Sequence, residues 1–339
     1  MAKILLTGAA GFIGLNVYQR LFQDHEIVAL DNFSSFSNHQ IKLDRLTYLT
    51  GKATPEWDEE MRLKNNDHLF YKLDITDTDR LARLFAKHRF DLVINLAAMT
   101  GVRQSISNPV IYEQSNIQGF TNLLELCRIH HVGKIIYASS SSVYGGNKQN
   151  LFREDAAIDN LLNYYAVTKR MNELAAENYT TLYDMEAIGL RFFTVYGPWV
   201  RPDMATYSFI KNILEERPIT LFNHGNMERD FTFVGDIVES ITRVLSKLLN
   251  GETSSPHAIY NIGEGKPVNL RDYLGILENI FQKKAIIESA PMNKEEMICT
   301  FADCSRLFDF IGFKPTTGVE KGLEKTVDWY LSYQSRRKK

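Results

Sequence analysis

The residues Lys3–Gly14, KILLTGAAGFIG, constrain the fold more than any other part of the sequence. A short apolar strand runs directly into three glycines, Gly8, Gly11 and Gly14, and a helical pattern follows. Glycine lets the backbone turn tightly and approach a phosphate, and the free N–H groups at the start of a helix attract an anion. The G-x-x-G-x-x-G spacing is a relative of the dinucleotide fingerprint, so it predicts a dinucleotide-binding strand–turn–helix unit.

An acidic residue stands at the end of the next predicted strand. Asp31 closes the segment EIVALD, 20 residues after Gly11. A carboxylate at this position can accept the ribose hydroxyls of the adenosine half of NAD, and it would repel the additional phosphate of NADP. No Arg or Lys lies between Asp31 and Lys42 to bind that phosphate. We therefore expect NAD as the cofactor.

The composition narrows the class of protein. The chain has 339 residues, 44% of them hydrophobic, and a net charge of −2, which is ordinary for a globular protein and argues against nucleic acid as a partner. No apolar run is long enough to span a bilayer, and the start leads straight into a strand without room for a signal peptide. The three cysteines form no C-x-x-C pair. We therefore expect a cytoplasmic protein with free thiols, no metal site and no membrane partner.

Strand and helix patterns alternate through the first half of the chain. Strands are predicted at Ile4–Thr7, Ile27–Leu30, Leu69–Leu73, Leu92–Leu96 and Ile135–Ser139, and helices at Phe12–Gln23, Asp79–His88 and Ile111–His130. Apolar strands separated by helices predict an α/β fold with a doubly wound parallel sheet (Rossmann) and a smaller C-terminal α/β substrate lobe. We assign 1–188 and 231–258 to an NAD-binding domain and 189–230 and 259–339 to the substrate lobe. The polar stretch 33–66 is either a helical insertion or a mobile lid.

A tyrosine four residues before a lysine is a candidate general base, because both side chains lie on one face of a helix and a nearby ammonium favours the phenolate. The sequence holds four such pairs: Tyr48/Lys52, Tyr144/Lys148, Tyr165/Lys169 and Tyr207/Lys211. The first two contain glycine, and the fourth lies in the second lobe. Only Tyr165/Lys169 opens a long helical pattern that follows a strand ending in hydroxyls, ASSSS at 138–142, at the sheet edge where ligands bind.

At these residues the chain resembles the extended short-chain dehydrogenase/reductase superfamily, in its NAD-dependent nucleotide-sugar epimerase/dehydratase branch. The resemblance covers nearly the whole chain. Its anchors are Thr7–Gly14, Asp31-Asn32, Asp74-Ile75, Asn95–Ala98, Ser139–Gly145, Tyr165/Lys169, Arg191–Pro198, Arg229–Phe231 and Tyr260–Gly263.

The resemblance implies a set of functional residues. The cofactor would be bound by Gly8, Ala10, Gly11, Phe12, Ile13, Asp31, Asn32, Asp74, Ile75, Leu96, Ala97, Ala98, Ser139, Tyr165 and Lys169. The catalytic residues would be Tyr165, Lys169, Ser140 and Ser142. The sugar nucleotide would contact Arg103, Ser140, Ser142, Thr194, Arg201 and Arg229. Arg229 suits the diphosphate because its guanidinium is a planar, always charged fork. A simple ion pair with Asp230 or Glu228 is the alternative for this arginine.

Two motifs indicate the member of the branch. Dehydratases carry an Asp-Glu pair after the catalytic hydroxyl, where this chain has Ser141-Ser142, so the pattern favours an epimerase. The stretch 191–204, RFFTVYGPWVRPDM, is similar to that of UDP-glucuronate 4-epimerases, although that family usually has Gly in place of Val200. There the residues matching Thr194 and Arg201 face the sugar carboxylate, which must be paired when buried. Alternatively, Arg201 only caps the loop.

The resemblance therefore implies NAD-dependent 4-epimerisation of a UDP-sugar, UDP-glucuronate to UDP-galacturonate, through a transient 4-keto sugar. It also implies a homodimer formed through the segments 111–130 and 165–182. A UDP-glucuronate decarboxylase that forms UDP-xylose and another UDP-hexose 4-epimerase are alternatives. A non-catalytic NAD-binding regulatory protein is the alternative of a different class, because fold does not fix function.

Overall fold

The computed structural model describes residues 1–34, 39–51, 60–63, 68–146, 151–292 and 297–337. The strands are β1 (Lys3–Thr7), β2 (Glu26–Asp31), β3 (Glu60–Arg62), β4 (Leu69–Lys72), β5 (Leu92–Asn95), β6 (Lys134–Ser140), β7 (Glu186–Phe192), β8 (Thr194–Tyr196), β9 (Pro218–Phe222), β10 (Glu228–Phe233), β11 (His257–Ile262), β12 (Pro267–Asn269) and β13 (Ile286–Ala290). The helices are α1 (Phe12–Leu21), α2 (His39–Thr50), α3 (Thr78–Lys87), α4 (Val102–Ser107), α5 (Pro109–Tyr112), α6 (Gly119–Ile129), α7 (Tyr164–Leu182), α8 (Ala205–Leu214), α9 (Val234–Leu249), α10 (Leu270–Phe281), α11 (Ser305–Ile311) and α12 (Val319–Arg337). Across these ranges, the structure contains no helix with the length and apolar character that a membrane span requires.

The contacts divide the chain into two compact units. The first comprises Met1–Val143, Asn163–Arg191 and Ile241–Tyr260, and the second comprises Tyr144–Leu162, Phe192–Ser240 and Asn261–Lys339. The assignment of the cofactor to one domain and of the sugar nucleotide to the other stays a prediction.

Within the described part of the chain, the central sheet has eight strands in the order β11-β7-β6-β5-β1-β2-β4-β3. The run from β4 through β2, β1 and β5 to β6 is parallel, and β3 pairs antiparallel with β4. Neighbouring residues of β1 point to opposite faces, and both Ile4 and Leu5 are fully buried, so both faces of the sheet are covered. This confirms the predicted doubly wound sheet. Strand β1 pairs with β2 along one edge and with β5 along the other, so the strand order reverses at β1. The carboxyl ends of β1 and β5 are therefore the switch point of the sheet, where ligands bind.

Two predicted stretches have more structure than the sequence pattern indicates. The helix predicted over Ile111–His130 is present as α5, a π-helical segment (Glu113–Gln118) and α6. The stretch 33–66 contains the helix α2 and the short strand β3. Its residues 35–38, 52–59 and 64–67 lie outside the described ranges.

The second unit is built on two small sheets, one of three strands in the order β12-β10-β8 and one that pairs β9 with β13. Aromatic side chains form much of its core: Tyr273 stacks on Phe231 with 3.9 Å between ring centroids. Tyr330 of α12 packs edge-on against Tyr207 of α8. A small α/β lobe is therefore present, as the sequence predicts.

Candidate active site

The glycine-rich turn joins β1 to α1 in a conformation that excludes side chains. Gly8 has φ +67°, and a Cβ added there would lie 2.7 Å from the amide nitrogen of Ala97. A Cβ on Gly14 would overlap the carbonyl oxygen of Gly8. Gly11 occupies the N-cap of α1. The first N–H groups of α1 and its positive dipole end therefore face a turn whose glycines carry no side chains, which fits the diphosphate of NAD.

The carboxylate of Asp31 lies beside this turn at the end of β2. It accepts hydrogen bonds from the amides of Ala10 (3.2 Å) and Phe33 (2.8 Å). The Nζ atom of Lys42, on α2, is 3.1 Å from the same carboxylate. The buried guanidinium of Arg45, one turn further along α2, donates to the carbonyl oxygen of Ala10 at 2.9 Å. Neither cation was predicted as a site residue, because both lie on α2, beyond the connection that follows β2.

The ends of β2 and β4 are joined by polar side chains. The Asn32 amide donates to Asp74 at 2.7 Å, and Asp74 also accepts from the backbone N–H and the hydroxyl of Thr76. Ile75 is buried, and its carbonyl oxygen accepts from the Asn122 amide at 3.0 Å. The structure thus places the residues assigned to the adenine beside those assigned to its ribose.

The segment after β5 lies against the glycine turn. The Thr7 hydroxyl donates to Asn95 at 2.6 Å and accepts from the amide of Ala97 at 3.1 Å. Leu96 and Ala98 flank this contact. The cofactor residues assigned to β1 and to the end of β5 therefore meet at the switch point of the sheet.

A buried asparagine in the π-helical segment links this region to α7. The Asn116 side chain accepts from the amide of Met99 at 2.7 Å, and it donates to the carbonyl of Met99 and to the hydroxyl of Thr168. The Asn172 side chain donates to the carbonyl of Asn116 at 2.7 Å. Such π-helical turns are frequent at functional sites. Asn116 was not predicted as a site residue. The only signal for it in the sequence is its position between apolar residues of a helical pattern.

The candidate catalytic groups converge at the end of β6 and the start of α7. The Ser140 hydroxyl donates to the hydroxyl of Ser142 at 3.2 Å. The Lys169 ammonium donates to the carbonyl of Ala138 at 2.7 Å and lies 5.9 Å from the ring centroid of Tyr165. Burial lowers the pKa of Lys169 to about 8. The structure therefore places a half-buried phenol and a buried ammonium on α7 in the same unit as the two hydroxyls, and the ammonium bonds directly to β6.

Three further site residues have defined positions. The hydroxyl of Ser139 donates to the buried carboxylate of Glu173 at 2.7 Å, so it points into the protein core rather than towards the serine pair. Arg103 is exposed on α4, a short helix that packs against α7. The ring of Tyr165 packs edge-on against Tyr112, with 6.2 Å between centroids.

The other Tyr-x-x-x-Lys pairs have different surroundings. The hydroxyl of Tyr144 is buried and donates to Asn261 at 2.6 Å. Tyr48 accepts from Gln19 at 2.9 Å on the surface. Lys52 and Lys148 lie outside the described residues. Tyr207 packs in the aromatic core of the second unit, whereas the lysine of the pair Tyr165/Lys169 bonds to β6 at Ala138, one residue before Ser139.

The loop after β8 carries the residues assigned to the sugar. Thr194 is half-buried at the start of β8. The Arg201 guanidinium donates from Nε (3.0 Å) and Nη2 (2.9 Å) to the two oxygens of Asp203. Trp199 has φ +67°, and its ring packs on Trp329 and Tyr333 of α12. The aromatic contact with α12 thus anchors the loop that presents Arg201.

Arg229 lies at the start of β10. Its guanidinium donates to the carbonyl oxygens of Glu228 (2.9 Å) and Ile298 (3.2 Å). The neighbouring Asp230 is fully buried, and its carboxylate accepts from the backbone amides of Glu264, Gly265 and Ala302. Asp230 therefore organises the adjoining loops.

Comparisons with known proteins agree with this architecture. Residues 4–263 match the family described as "NAD dependent epimerase/dehydratase family". The chain is 40% identical to Protein CapI of Staphylococcus aureus over 98% of its own length and 100% of that protein. It is 38% identical to UDP-glucuronate 4-epimerase 4 of Arabidopsis thaliana, covering 99% of this chain and 77% of that one. The crystal structure of a UDP-glucuronic acid 4-epimerase from Bacillus cereus, in complex with UDP-glucuronic acid and NAD, superposes with a TM-score of 0.85 at 32% identity, covering 98% and 99% of the two chains.

Proposed function

The chain belongs to the NAD-dependent epimerase/dehydratase family, and we propose from that membership that it converts UDP-glucuronate to UDP-galacturonate. It is an isomerase of the UDP-sugar 4-epimerase type. The finer assignment, to a uronic acid, is supported by one observation above all. Arg201 already holds a carboxylate, that of Asp203, through two parallel hydrogen bonds. This fork geometry is the one that recognises a sugar carboxylate.

The residues of the chain have distinct tasks in this reaction. The glycine turn and Asp31 hold NAD, and the chemistry that NAD supplies when bound is the reversible uptake of the hydride from carbon 4 of the sugar. Tyr165, as phenolate, removes the proton of the 4-hydroxyl and later returns it. The Lys169 ammonium stabilises that phenolate. Ser140 and Ser142 donate to or accept from the reacting oxygen and hold it in place.

The uronate imposes a second requirement on the protein. The 4-keto form of UDP-glucuronate is a β-keto acid. It loses CO₂ when the bond between the ring and the carboxylate is aligned with the π orbitals of the keto group. A grip on the carboxylate by Thr194 and Arg201 keeps that bond out of alignment. We assign Arg229 to the diphosphate and Arg103 to the sugar nucleotide.

We propose that the protein acts as a homodimer. Large apolar side chains on α5 and α7 are exposed: Val110 by 59%, Ile111 by 37%, Met171 by 42% and Leu174 by 48%. Both helices lie within the first unit and pack against each other. Several exposed large apolar side chains on two helices in contact are typical of a protein–protein interface. The cytoplasmic location stays a prediction.

The decisive experiment incubates the purified protein with UDP-glucuronate and separates the products, with and without added NAD. We expect UDP-galacturonate and an equilibrium mixture approached from either side. UDP-glucose serves as the second substrate, and Tyr165→Phe as the inactive control. Formation of a UDP-pentose with CO₂ would instead identify a decarboxylase, and equal turnover of UDP-glucose would identify a less selective hexose epimerase.

A further inference from the structure

A fully buried carboxylate lies on the same face of α7 as the candidate catalytic pair. Glu173 is four residues beyond Lys169 and eight beyond Tyr165, so the three side chains follow one another along that face. Its side chain has no solvent exposure. The reaction assigned above does not use this group directly. A buried charge is costly unless it is paired and hydrogen-bonded, so its presence calls for an explanation.

The Glu173 carboxylate is fully satisfied by three neighbours. Its Oε1 accepts from the Ser139 hydroxyl at 2.7 Å and from Nε of Arg191 at 2.8 Å. Its Oε2 accepts from Nη2 of Arg191 and from Nη1 of Arg170, both at 3.0 Å. Although burial acts to raise the pKa of Glu173, the hydrogen bonds from Arg191, Ser139 and Arg170 hold it below its ordinary value. Glu173 is therefore a permanent negative charge at neutral pH.

These bonds tie the catalytic helix to two strands of the sheet. Ser139 lies on β6, immediately before Ser140, and Arg191 lies on β7. Both partners are buried. Rotation or sliding of α7 against the sheet would break the bonds to Ser139 and Arg191, so Glu173 holds α7 in register with β6 and β7.

The charge of the same carboxylate acts on the Lys169 ammonium. Burial lowers the pKa of Lys169 to about 8, and the charge of Glu173 opposes that effect. We infer that Glu173 is a positioning residue, which balances the buried charge of Lys169 and holds α7 in register so that Tyr165 can act as the base. This inference rests on the proposed roles of Tyr165 and Lys169.

The other groups around this cluster do not supply an equivalent charge. The charged and titratable groups packed here are Arg170 and Glu177 on α7, Tyr137 on β6, Arg191 on β7 and His257 on β11. Burial raises the pKa of Tyr137 and lowers that of His257, and the two groups share a hydrogen bond of 2.9 Å, so both are neutral at pH 7. Glu177 is exposed. Loss of Glu173 would leave the cations of Lys169, Arg170 and Arg191 close together.

The test measures the protonation of Lys169 in the holoenzyme by ¹³Cε-lysine NMR over pH 6–11, with its signal assigned by Lys169→Arg. Glu173→Gln should lower the pKa of Lys169 by about one unit or more, since it removes the neighbouring anion. Arg170→Gln should raise that pKa, because it removes a cation from the same cluster. Glu177→Gln, an equal loss of charge on the exposed part of the same helix, should leave it within roughly 0.2 units. Opposite shifts from two variants are not expected of a merely structural contact.

The pH profile of turnover should follow the NMR result. For Glu173→Gln we expect the alkaline limit of kcat to move to lower pH by the same shift, so that kcat at pH 7 falls by roughly twofold for a shift of one unit and roughly tenfold for two. KM should stay nearly unchanged, because the residue does not touch the substrate. Should Glu173→Gln fail to fold, Arg170→Gln still decides the matter, since its side chain is about one-third exposed (32%) and its removal leaves the bonds to Arg191 and Ser139 in place. An unchanged Lys169 pKa in the folded variants, or a shifted pKa without a shifted pH profile, would overturn the inference. If the unmodified protein does not turn over UDP-glucuronate, the proposed function is wrong, and the NMR comparison still supports or overturns the role of Glu173.

Discussion

The Nζ atom of Lys42 lies 3.1 Å from the carboxylate of Asp31, the residue that ends β2 beside the glycine turn. The Asp31 side chain is 4% exposed and that of Lys42 is 15% exposed, so solvent screens this pair less than it would a surface pair. We therefore expect cofactor choice to depend on the balance of these two charges. Asp31 repels the additional phosphate of NADP, while Lys42 attracts it.

Changing either partner should shift cofactor preference, in opposite directions. Lys42→Met leaves Asp31 unbalanced and should increase the preference for NAD over NADP. Asp31→Ala leaves an ammonium beside the ribose and should weaken NAD binding while reducing or reversing the preference, by about tenfold for each change. The measurement is the ratio of the two dissociation constants. Asp24→Ala, an exposed carboxylate before the start of β2, is the control. Equal binding of both cofactors by the unmodified protein would contradict the assignment.

Tyr165→Phe tests the general base. The variant should fold and bind NAD normally, because it loses only a hydroxyl, and turnover should fall by a factor on the order of 10²–10⁴. Tyr164→Phe makes the same change at the adjacent, half-buried position and should leave turnover nearly unchanged. Near-normal turnover in Tyr165→Phe would move the assignment to Tyr164 or Tyr144.

The alkaline limit of activity should reflect Lys169. Burial lowers its pKa from 10.5 to about 8, so the ammonium is present below that pH and is lost as the pH rises through it. The unfolded chain still binds this proton up to about pH 10.5, so the contribution of Lys169 to stability increases between these values. Turnover should therefore decline above about pH 8 while circular dichroism remains unchanged. A parallel loss of structure over the same range would show that unfolding, and not Lys169, sets the limit.

The exposed apolar face of α5 and α7 predicts a specific dimer-breaking change. Leu174→Asp places a charge on a side chain that is 48% exposed, so the monomer should fold normally while a dimer buried on this face dissociates. Leu331→Asp is the matched control, because Leu331 is 46% exposed on α12 in the second unit. Sedimentation velocity measures the mass of each. A dimer that survives Leu174→Asp but not Leu331→Asp would place the interface elsewhere.

The glycine turn and the sheet were predictable from the sequence because their signals are local. An apolar strand, three glycines and an amphipathic helix specify one another within Lys3–Leu21, and short apolar runs between helical patterns mark the other parallel strands. The π-helical segment was not predictable, because one extra residue in a helical turn barely changes the apolar pattern. Its effect is to aim Asn116 at the backbone of Met99, which only the folded chain reveals.

The charged residues of the site also differ in how far the sequence reveals them. Lys42 reaches Asp31 across a connection that no periodicity specifies, so the sequence showed both residues without their contact. Glu173 could have been identified from the sequence, since it follows Lys169 at the spacing of one helical turn. A run of ionisable residues along the buried face of a helix, each one turn from the next, is unusual and indicates a paired network.

The substrate assignment is tested at Arg201 and its present partner, Asp203. If Arg201 and Thr194 hold the uronate, Arg201→Ala should reduce kcat/KM for UDP-glucuronate far more than for UDP-glucose, since removing a charged partner from a desolvated carboxylate costs about 2–5 kcal/mol. UDP-glucose has no carboxylate and therefore no such loss. A weaker grip should also let the 4-keto sugar decarboxylate, so the variant should release more CO₂ and UDP-pentose per turnover.

Asp203→Asn separates recognition of the carboxylate from support of the loop. Asp203 is 42% exposed and Arg201 24% exposed, so the bond between them is weak, worth about 0–1 kcal/mol. If the sugar carboxylate competes with Asp203 for the same guanidinium, removing that competitor should lower KM for UDP-glucuronate by up to about fivefold and leave UDP-glucose unchanged. Arg201→Ala should therefore impair, and Asp203→Asn improve, the reaction with UDP-glucuronate, and neither effect should appear with UDP-glucose. Only a carboxylate site predicts this combination. If Arg201→Ala instead impairs both substrates equally and Asp203→Asn does the same, the pair only stabilises the loop, and the uronate assignment loses its main support.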